Sequence, residues 1–210
     1  MDIRHYFNIE IDKSEKSEKS KKSEKSEKSE KSEKSEKSIN VYTDGSAFNN
    51  GSKTKIQKGG IGVYFGDNCQ NIQHISEKLF GKITNNIAEL KACIKAITII
   101  INNSDFDNIK IKIYTDSKYV IDSITKWSIN WKKHEWQKYN IREKKYVPIK
   151  NKELIIELYN YYNKYNIEFI YIKAHTNEPI NKTSQEYKHW YGNKMADKLA
   201  VNASKLFFTN

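Results

Sequence analysis

Along the chain, short runs with apolar residues at every second position alternate with stretches in which they recur every three or four residues, the signature of an α/β domain. Ile39 to Thr43 is a β-rich run, and Gly59 to Phe65 and Ile72 to Leu79 read as further strands with Gly66-Asp67-Asn68 as a turn between them. The three predict a meander. Thr84 to Ile101 sets Leu90, Cys93, Ile94, Ile97 and Ile101 at helical spacing and predicts the main core helix. Ile109 to Thr115 alternates Lys with Ile and Tyr as a fourth strand, and Asp116-Ser117 caps a helix after it. Lys152 to Lys164 is amphipathic, Ile167 to Ile172 is a fifth strand, and Asn193 to Leu206 a final helix. The predicted order is βββαβ(αα)αβα.

The amino-terminal part lacks such patterning. From Ser14 to Ser38 the chain repeats Ser-Glu-Lys, with one variant triplet at Ser20-Lys21-Lys22, and offers no apolar side chain to offset the entropy of ordering. It reads as a disordered tether, with a solvated single helix as the competing reading because Glu15 and Lys19 stand at i, i+4. The predicted domains are therefore residues 1–13, a tether at 14–38 and one folded domain at 39–210. For 210 residues, a single core is expected.

Charge separates the same way. Residues 1–38 hold 11 of the 37 Lys/Arg and 10 of the 26 Asp/Glu, which leaves 26 against 16, a net of +10, in the folded part. Together with 4 Trp and 14 Tyr, that excess favours a polyanion such as nucleic acid over a merely soluble basic protein. No run approaches a membrane helix, and Met1-Asp2-Ile3-Arg4 does not open a signal peptide, so an intracellular protein with no membrane contact is expected. Cys69 and Cys93 match no metal-ligand spacing and are expected as reduced thiols.

Four acids stand at the ends of predicted elements. Asp44 closes the first strand in Tyr42-Thr43-Asp44-Gly45-Ser46, and Asp116 closes the fourth in Tyr114-Thr115-Asp116-Ser117. Glu89 lies in the first turns of the core helix, in Thr84-Asn85-Asn86-Ile87-Ala88-Glu89-Leu90, and Asp197 in Gly192-Asn193-Lys194-Met195-Ala196-Asp197. Singly, each has a plain explanation as a turn, a cap or a solvated helix face. Together, and with Lys173-Ala174-His175, they resemble the type 1 ribonuclease H family from about Val41 to Ala203, all five motifs occurring in the family's order.

That resemblance implies a mixed five-stranded sheet, three antiparallel strands followed by parallel ones, flanked by helices with a basic helical protrusion. It implies an endonuclease that cuts the RNA strand of RNA–DNA hybrids to 3′-hydroxyl and 5′-phosphate ends. Asp44, Glu89, Asp116 and Asp197 would hold two Mg²⁺ ions, for which Mn²⁺ can substitute, and His175 would assist proton transfer and product release. The chemistry asks for such a set: a phosphodiester repels hydroxide, so attack needs neutralised charge and an activated water, and Mg²⁺ takes oxygen ligands. Sixteen residues separate His175 from Gly192, more than in compact relatives, and this long loop, Thr176 to Tyr191, bears on how the histidine reaches the site.

Substrate contacts are carried over from the same resemblance. Ala47, Asn49, Asn50, Asn85 and Asn86 would meet the RNA strand, where asparagine both donates to and accepts from a 2′-hydroxyl. Lys82, Thr84 and Asn151 would form a phosphate pocket for the DNA strand, with Tyr119, Trp127 and Trp131 as an aromatic channel that rejects a 2′-hydroxyl. Trp131 to Lys145 carries Lys132, Lys133, Lys138, Arg142, Lys144 and Lys145 against Glu135 and Glu143 and resembles the basic protrusion. A hybrid-binding module without catalysis, and a nuclease domain of retroelement origin, are the rival readings. With no polymerase segment in front, a free-standing, monomeric enzyme of DNA replication and repair is expected, acting at replication sites. Ile3, Tyr6 and Phe7 have the i, i+3, i+4 spacing of a one-turn helix and resemble the short peptide by which replication proteins dock on a sliding clamp, against the plain reading of chance aromatics in a tail.

Overall fold

A computed structural model of the chain describes residues 37–48, 58–66, 69, 71–103 and 108–205. The expectations for the clamp-like peptide, for the tether up to residue 36, and for Asn49 and Asn50 lie outside the described residues.

The strands are β1 (Ser38–Phe48), β2 (Lys58–Phe65), β3 (Ile75–Leu79), β4 (Lys110–Thr115) and β7 (Ile167–Tyr171), in the spatial order β3-β2-β1-β4-β7. β1, β2 and β3 pair antiparallel, while β4 joins β1, and β7 joins β4, in parallel. The resemblance's ribonuclease H-like sheet is therefore present. Alternation along β1 decides what covers each face. Ile39, Val41 and Thr43 turn to one side, where α1 (Asn85–Ile101) supplies Leu90, Cys93 and Ile97 and α4 (Lys152–Lys164) supplies Ile155 and Leu158. Tyr42 and Asp44 turn to the other, beneath α5 (Gln185–Lys205). Thr84 caps α1, its hydroxyl accepting from the Ile87 amide at 3.3 Å. Both cysteines are free and buried. No helix among the described residues is long and apolar enough to cross a membrane.

Four elements differ from the pattern-based expectation. β1 does not close at Asp44 but runs on to Phe48, because β2 pairs with it as far as Lys58. β3 begins at Ile75, because Ile72 reaches the core from a turn closed by bonds from the Cys69 amide to Gly66 and from the Ile72 amide to Cys69. After α2 (Lys118–Asp122) the chain loosens into a π-helical segment, Ser123–Trp127, then α3 (Ser128–Lys133). The basic protrusion is helical only that far. Its outer half is a hairpin of β5 (Gln137–Asn140) and β6 (Lys145–Pro148), which the charge pattern concealed because its turn, residues 141–144, takes positive φ at Lys144 without glycine. Finally, α5 starts at Gln185 instead of Asn193: the Ser184 hydroxyl accepts from the Tyr187 amide at 3.1 Å, and the loop ends there. Tyr187, Trp190 and Tyr191 give that first stretch aromatic faces without aliphatic periodicity, which is why it read as loop.

Candidate active site

Parallel pairing brings two of the four acids together. β1 and β4 run side by side to the Tyr42–Tyr114 pair, and two residues further along stand Asp44, within β1, and Asp116, just past the end of β4, on the α5 side. Glu89 arrives from α1, which lies unusually close because Gly45 has no side chain: a Cβ there would overlap the backbone of Ala88 and Glu89. Carboxylate oxygens of Asp44, Glu89 and Asp116 all lie within 4.8 Å of one another. Asp197 lines the same cavity from α5, near enough for its charge to act on Asp44.

The electrostatics of this cluster are unfavourable without a cation. Burial, and then the charges of Asp116 and Asp197, push the Asp44 carboxyl up to about 7. Burial, with Asp44 and Asp116 next, pushes Glu89 well above the usual carboxylate range, and burial also raises Asp116. The buried Glu89 Oε2 has no hydrogen-bond partner. An oxygen-only donor set with one orphaned carboxylate oxygen fits a hard divalent cation. A pH effect follows. Because the folded Asp44 binds its proton more tightly than the unfolded chain, its stabilisation is complete below the ordinary value near 4 and is lost as pH rises through about 7. In chelator, the unfolding midpoint of the wild type should therefore fall relative to Asp44→Asn between pH 4 and 8, by up to about 1.4 kcal/mol of stability per pH unit, and adding a divalent cation at pH 8 should reverse the fall. Parallel curves for the two proteins would show that Asp44 is not a strained acid.

The cavity, about 560 Å³, is lined on one side by Ser46, Ala47 and Asn85 and on the other by Lys173, His175, Thr176, Trp190, Asn193 and Lys194. The Asn85 side-chain carbonyl accepts from the Ala47 amide at 3.1 Å, so these two expected contacts form one unit. His175 has a φ of 51° and is near enough to Asp116 to act on its charge. Asn193, Trp190, Lys173 and Lys194 were not among the expected site residues. Asn193 stood in the quoted Gly-Asn motif and is the one whose Oδ1 is buried without a partner; Trp190 was hidden in the supposed loop.

The remaining expected contacts fall into two places. Lys82, Thr84, Asn85, Asn86 and Asn151 line a second recess of about 520 Å³, with Lys150. Asn151, itself at φ 57°, donates from Nδ2 to the Tyr119 hydroxyl at 3.0 Å, which ties this recess to the aromatic group. In that group the Tyr119 and Trp127 ring centroids are 6.2 Å apart and Trp127 and Trp131 are 5.5 Å apart, and the π-helical offset leaves Trp127 41% exposed. Lys132 lies over the Tyr159 ring and Lys145 pairs with Glu143, whereas Lys133, Lys138, Arg142 and Lys144 are exposed along the outer face.

Comparison with known proteins gives a consistent answer. A family model described as RNase H matches residues 36–205. A protein of Acanthamoeba polyphaga mimivirus named "Probable ribonuclease H" is 36% identical over 148 residues, covering 70% of this chain and 58% of the relative, so the chain spans little more than half of that protein. A ribonuclease H of Clostridium botulinum is 34% identical over 142 residues, 67% of this chain and 86% of its own length. Among solved structures, foamy viral protease–reverse transcriptase in complex with an RNA/DNA hybrid aligns with a TM-score of 0.59 at 25% identity, over 81% of this chain and 20% of that one.

Proposed function

Because the chain belongs to the ribonuclease H family, we propose that it is an endoribonuclease acting on the RNA strand of RNA–DNA hybrids. The observation that carries the reading is the set of three carboxylates within 4.8 Å, crowded, half-buried and oxygen-only. Asp44, Glu89, Asp116 and Asp197 would hold divalent cations, Mg²⁺ by preference, two at a site. Such ions, when bound, neutralise the phosphodiester and make a water acidic enough to attack near neutral pH. The chain's own groups then do the rest. Asn85 and Asn86, with Ala47, read 2′-hydroxyls in the wide minor groove. The Lys82, Thr84 and Asn151 recess takes a phosphate of the DNA strand, and Trp127 packs on its deoxyribose. The His175 imidazole, at the mouth of the cavity, exchanges a proton with the leaving 3′-oxygen, and its exposed loop suits release of the cut strand, which ends in 5′-phosphate. Removal of primer RNA or of hybrids formed during DNA replication and repair is the role this chemistry serves.

The deciding experiment is cleavage of an end-labelled hybrid beside duplex DNA and duplex RNA of the same sequence, with and without Mg²⁺. Cutting of the RNA strand of the hybrid alone, and only with the cation, is expected; cutting of duplex DNA at a similar rate would overturn the substrate assignment. Two weaker effects should accompany it. Trp127→Ala should lose roughly 1–3 kcal/mol of hybrid affinity and leave the carboxylate cluster's cation response unchanged. Removing Lys132 and Lys133 together should flatten the salt dependence of binding, by about one unit of log–log slope for each phosphate no longer neutralised. An unaltered slope would reduce that part of the protrusion to a solvated face.

A further inference from the structure

His175 follows β7 in the left-handed backbone region, φ 51°, which residues with a side chain enter infrequently. Its sequence neighbours Lys173, Thr176, Asn177 and Glu178 are exposed and supply little. The fixing contact comes from the early turns of α5. Trp190 donates its indole Nε1–H to the carbonyl of Thr176, the residue after the histidine, at 3.0 Å. Lys194, one turn further along α5, sets its ammonium 4.5 Å from the centre of the Trp190 ring, and both side chains line the cavity that contains Asp116 and His175. The turn that carries Trp190 is itself fastened to the sheet. His189 Nδ1 and the Tyr42 hydroxyl are hydrogen-bonded at 3.0 Å, and the His189 ring stacks on Tyr114 with centroids 4.4 Å apart. A continuous set of contacts thus runs from β1 and β4, the strands that bear Asp44 and Asp116, through His189 and Trp190 to the backbone beside His175.

We propose that Trp190 is a positioning residue for His175: it holds the histidine's loop against the carboxylate cleft, so that the imidazole is presented to the reacting phosphate without first having to be ordered. This rests on the nuclease reading above for its effect on rate, though not for its effect on the loop. The indole has the reach and the single donor for the task, and its ring is kept in place from behind by the Lys194 ammonium. The advantage is that of pre-organisation, since a loop already fixed loses no freedom when the substrate arrives.

The test compares wild type, Trp190→Phe, His175→Ala and the double variant on a labelled hybrid. Phenylalanine keeps a ring beneath Lys194 and removes only the donor. We expect kcat to fall about three- to tenfold, the size of one missing hydrogen bond, with KM within about twofold. In the His175→Ala background the same change should matter less than about twofold, because no histidine is left to position. Equal losses in both backgrounds, a Trp190→Phe variant at the wild-type rate, or a raised KM with unchanged kcat would each overturn the proposal, the last by making Trp190 a substrate contact. A wild-type protein that leaves the hybrid uncut defeats the nuclease reading instead. The link is then decided by NMR of the chain itself, where the Trp190 indole proton should exchange slowly and the Thr176 amide should gain motion in Trp190→Phe. An indole proton exchanging as freely as one in water would overturn it.

Discussion

Replacing Asp44 or Asp116 by asparagine should reduce hybrid cleavage by roughly a thousandfold or more, because several kcal/mol of transition-state charge stabilisation depend on holding the cations. The amide keeps the shape of the carboxylate and loses the charge. Neither variant should lose its fold. In chelator at pH 8 each should be at least as stable as the wild type, because the buried cluster then carries one fewer of the mutually repelling acids that push Asp44 up to about 7. Hybrid affinity should persist, since the Lys82 recess and Trp127 lie outside the carboxylate cavity and the Asn85–Ala47 hydrogen bond involves neither carboxylate. The measurements are single-turnover cleavage, unfolding midpoints and binding of an uncleaved hybrid. Substantial turnover in both variants would sink the assignment of the site, whereas loss of fold would show the two carboxylates to be structural.

The parts of this molecule that were legible in sequence are those whose signals are local. The apolar period from Thr84 to Ile101 predicts the core helix, and α1 occupies Asn85–Ile101. Asp116 follows the end of β4 as expected, whereas Asp44 lies inside β1, and parallel pairing of the two strands brings their side chains together, a consequence of topology that no spacing contains but that the order of motifs does. What escaped has a physical reason in each case. The first turns of α5 set rings against Tyr42, Tyr64 and Tyr114 in place of an aliphatic stripe, so the i, i+3, i+4 spacing of Tyr187, Trp190 and Tyr191 is carried by aromatic residues alone. Glu135 and Trp136 turn the chain from α3 into the hairpin with positive φ and without glycine, and the hairpin itself reverses over residues 141–144, closed by the Asn140 side chain inside a run of charged residues. Trp190 and Asn193 enter the cavity only because α5 begins at Gln185 and runs past it.

The approach of α5 to the sheet sets the other large effect, because Asp197 depends on it. Gly62 lies opposite Asp44 on β2, and a Cβ at Gly62 would overlap the Ala196 carbonyl oxygen and come within 2.6 Å of the Ala200 nitrogen. These are backbone atoms of a helix whose Ala196, Ala200 and Ala203 are wholly buried, so no side chain can swing aside. The helix must move as a body or the strand must bend. Gly62→Ala should therefore destabilise the fold by about 3 kcal/mol or more, beyond the usual range for overpacking because the obstacle is main chain. Gly62→Val should prevent stable folding. Where Gly62→Ala still folds, Asp197 moves with α5, and cleavage should fall further than the fraction unfolded accounts for. Gly81→Ala serves as the control: its φ of +99° strains a side chain but nothing lies within 4 Å, so a loss of about 1 kcal/mol is expected there from backbone conformation alone. Urea unfolding of the three proteins measures the difference. A Gly62→Ala variant no less stable than Gly81→Ala would mean that α5 rests on the sheet more loosely than its packing indicates, and that the fourth carboxylate is not held by that approach.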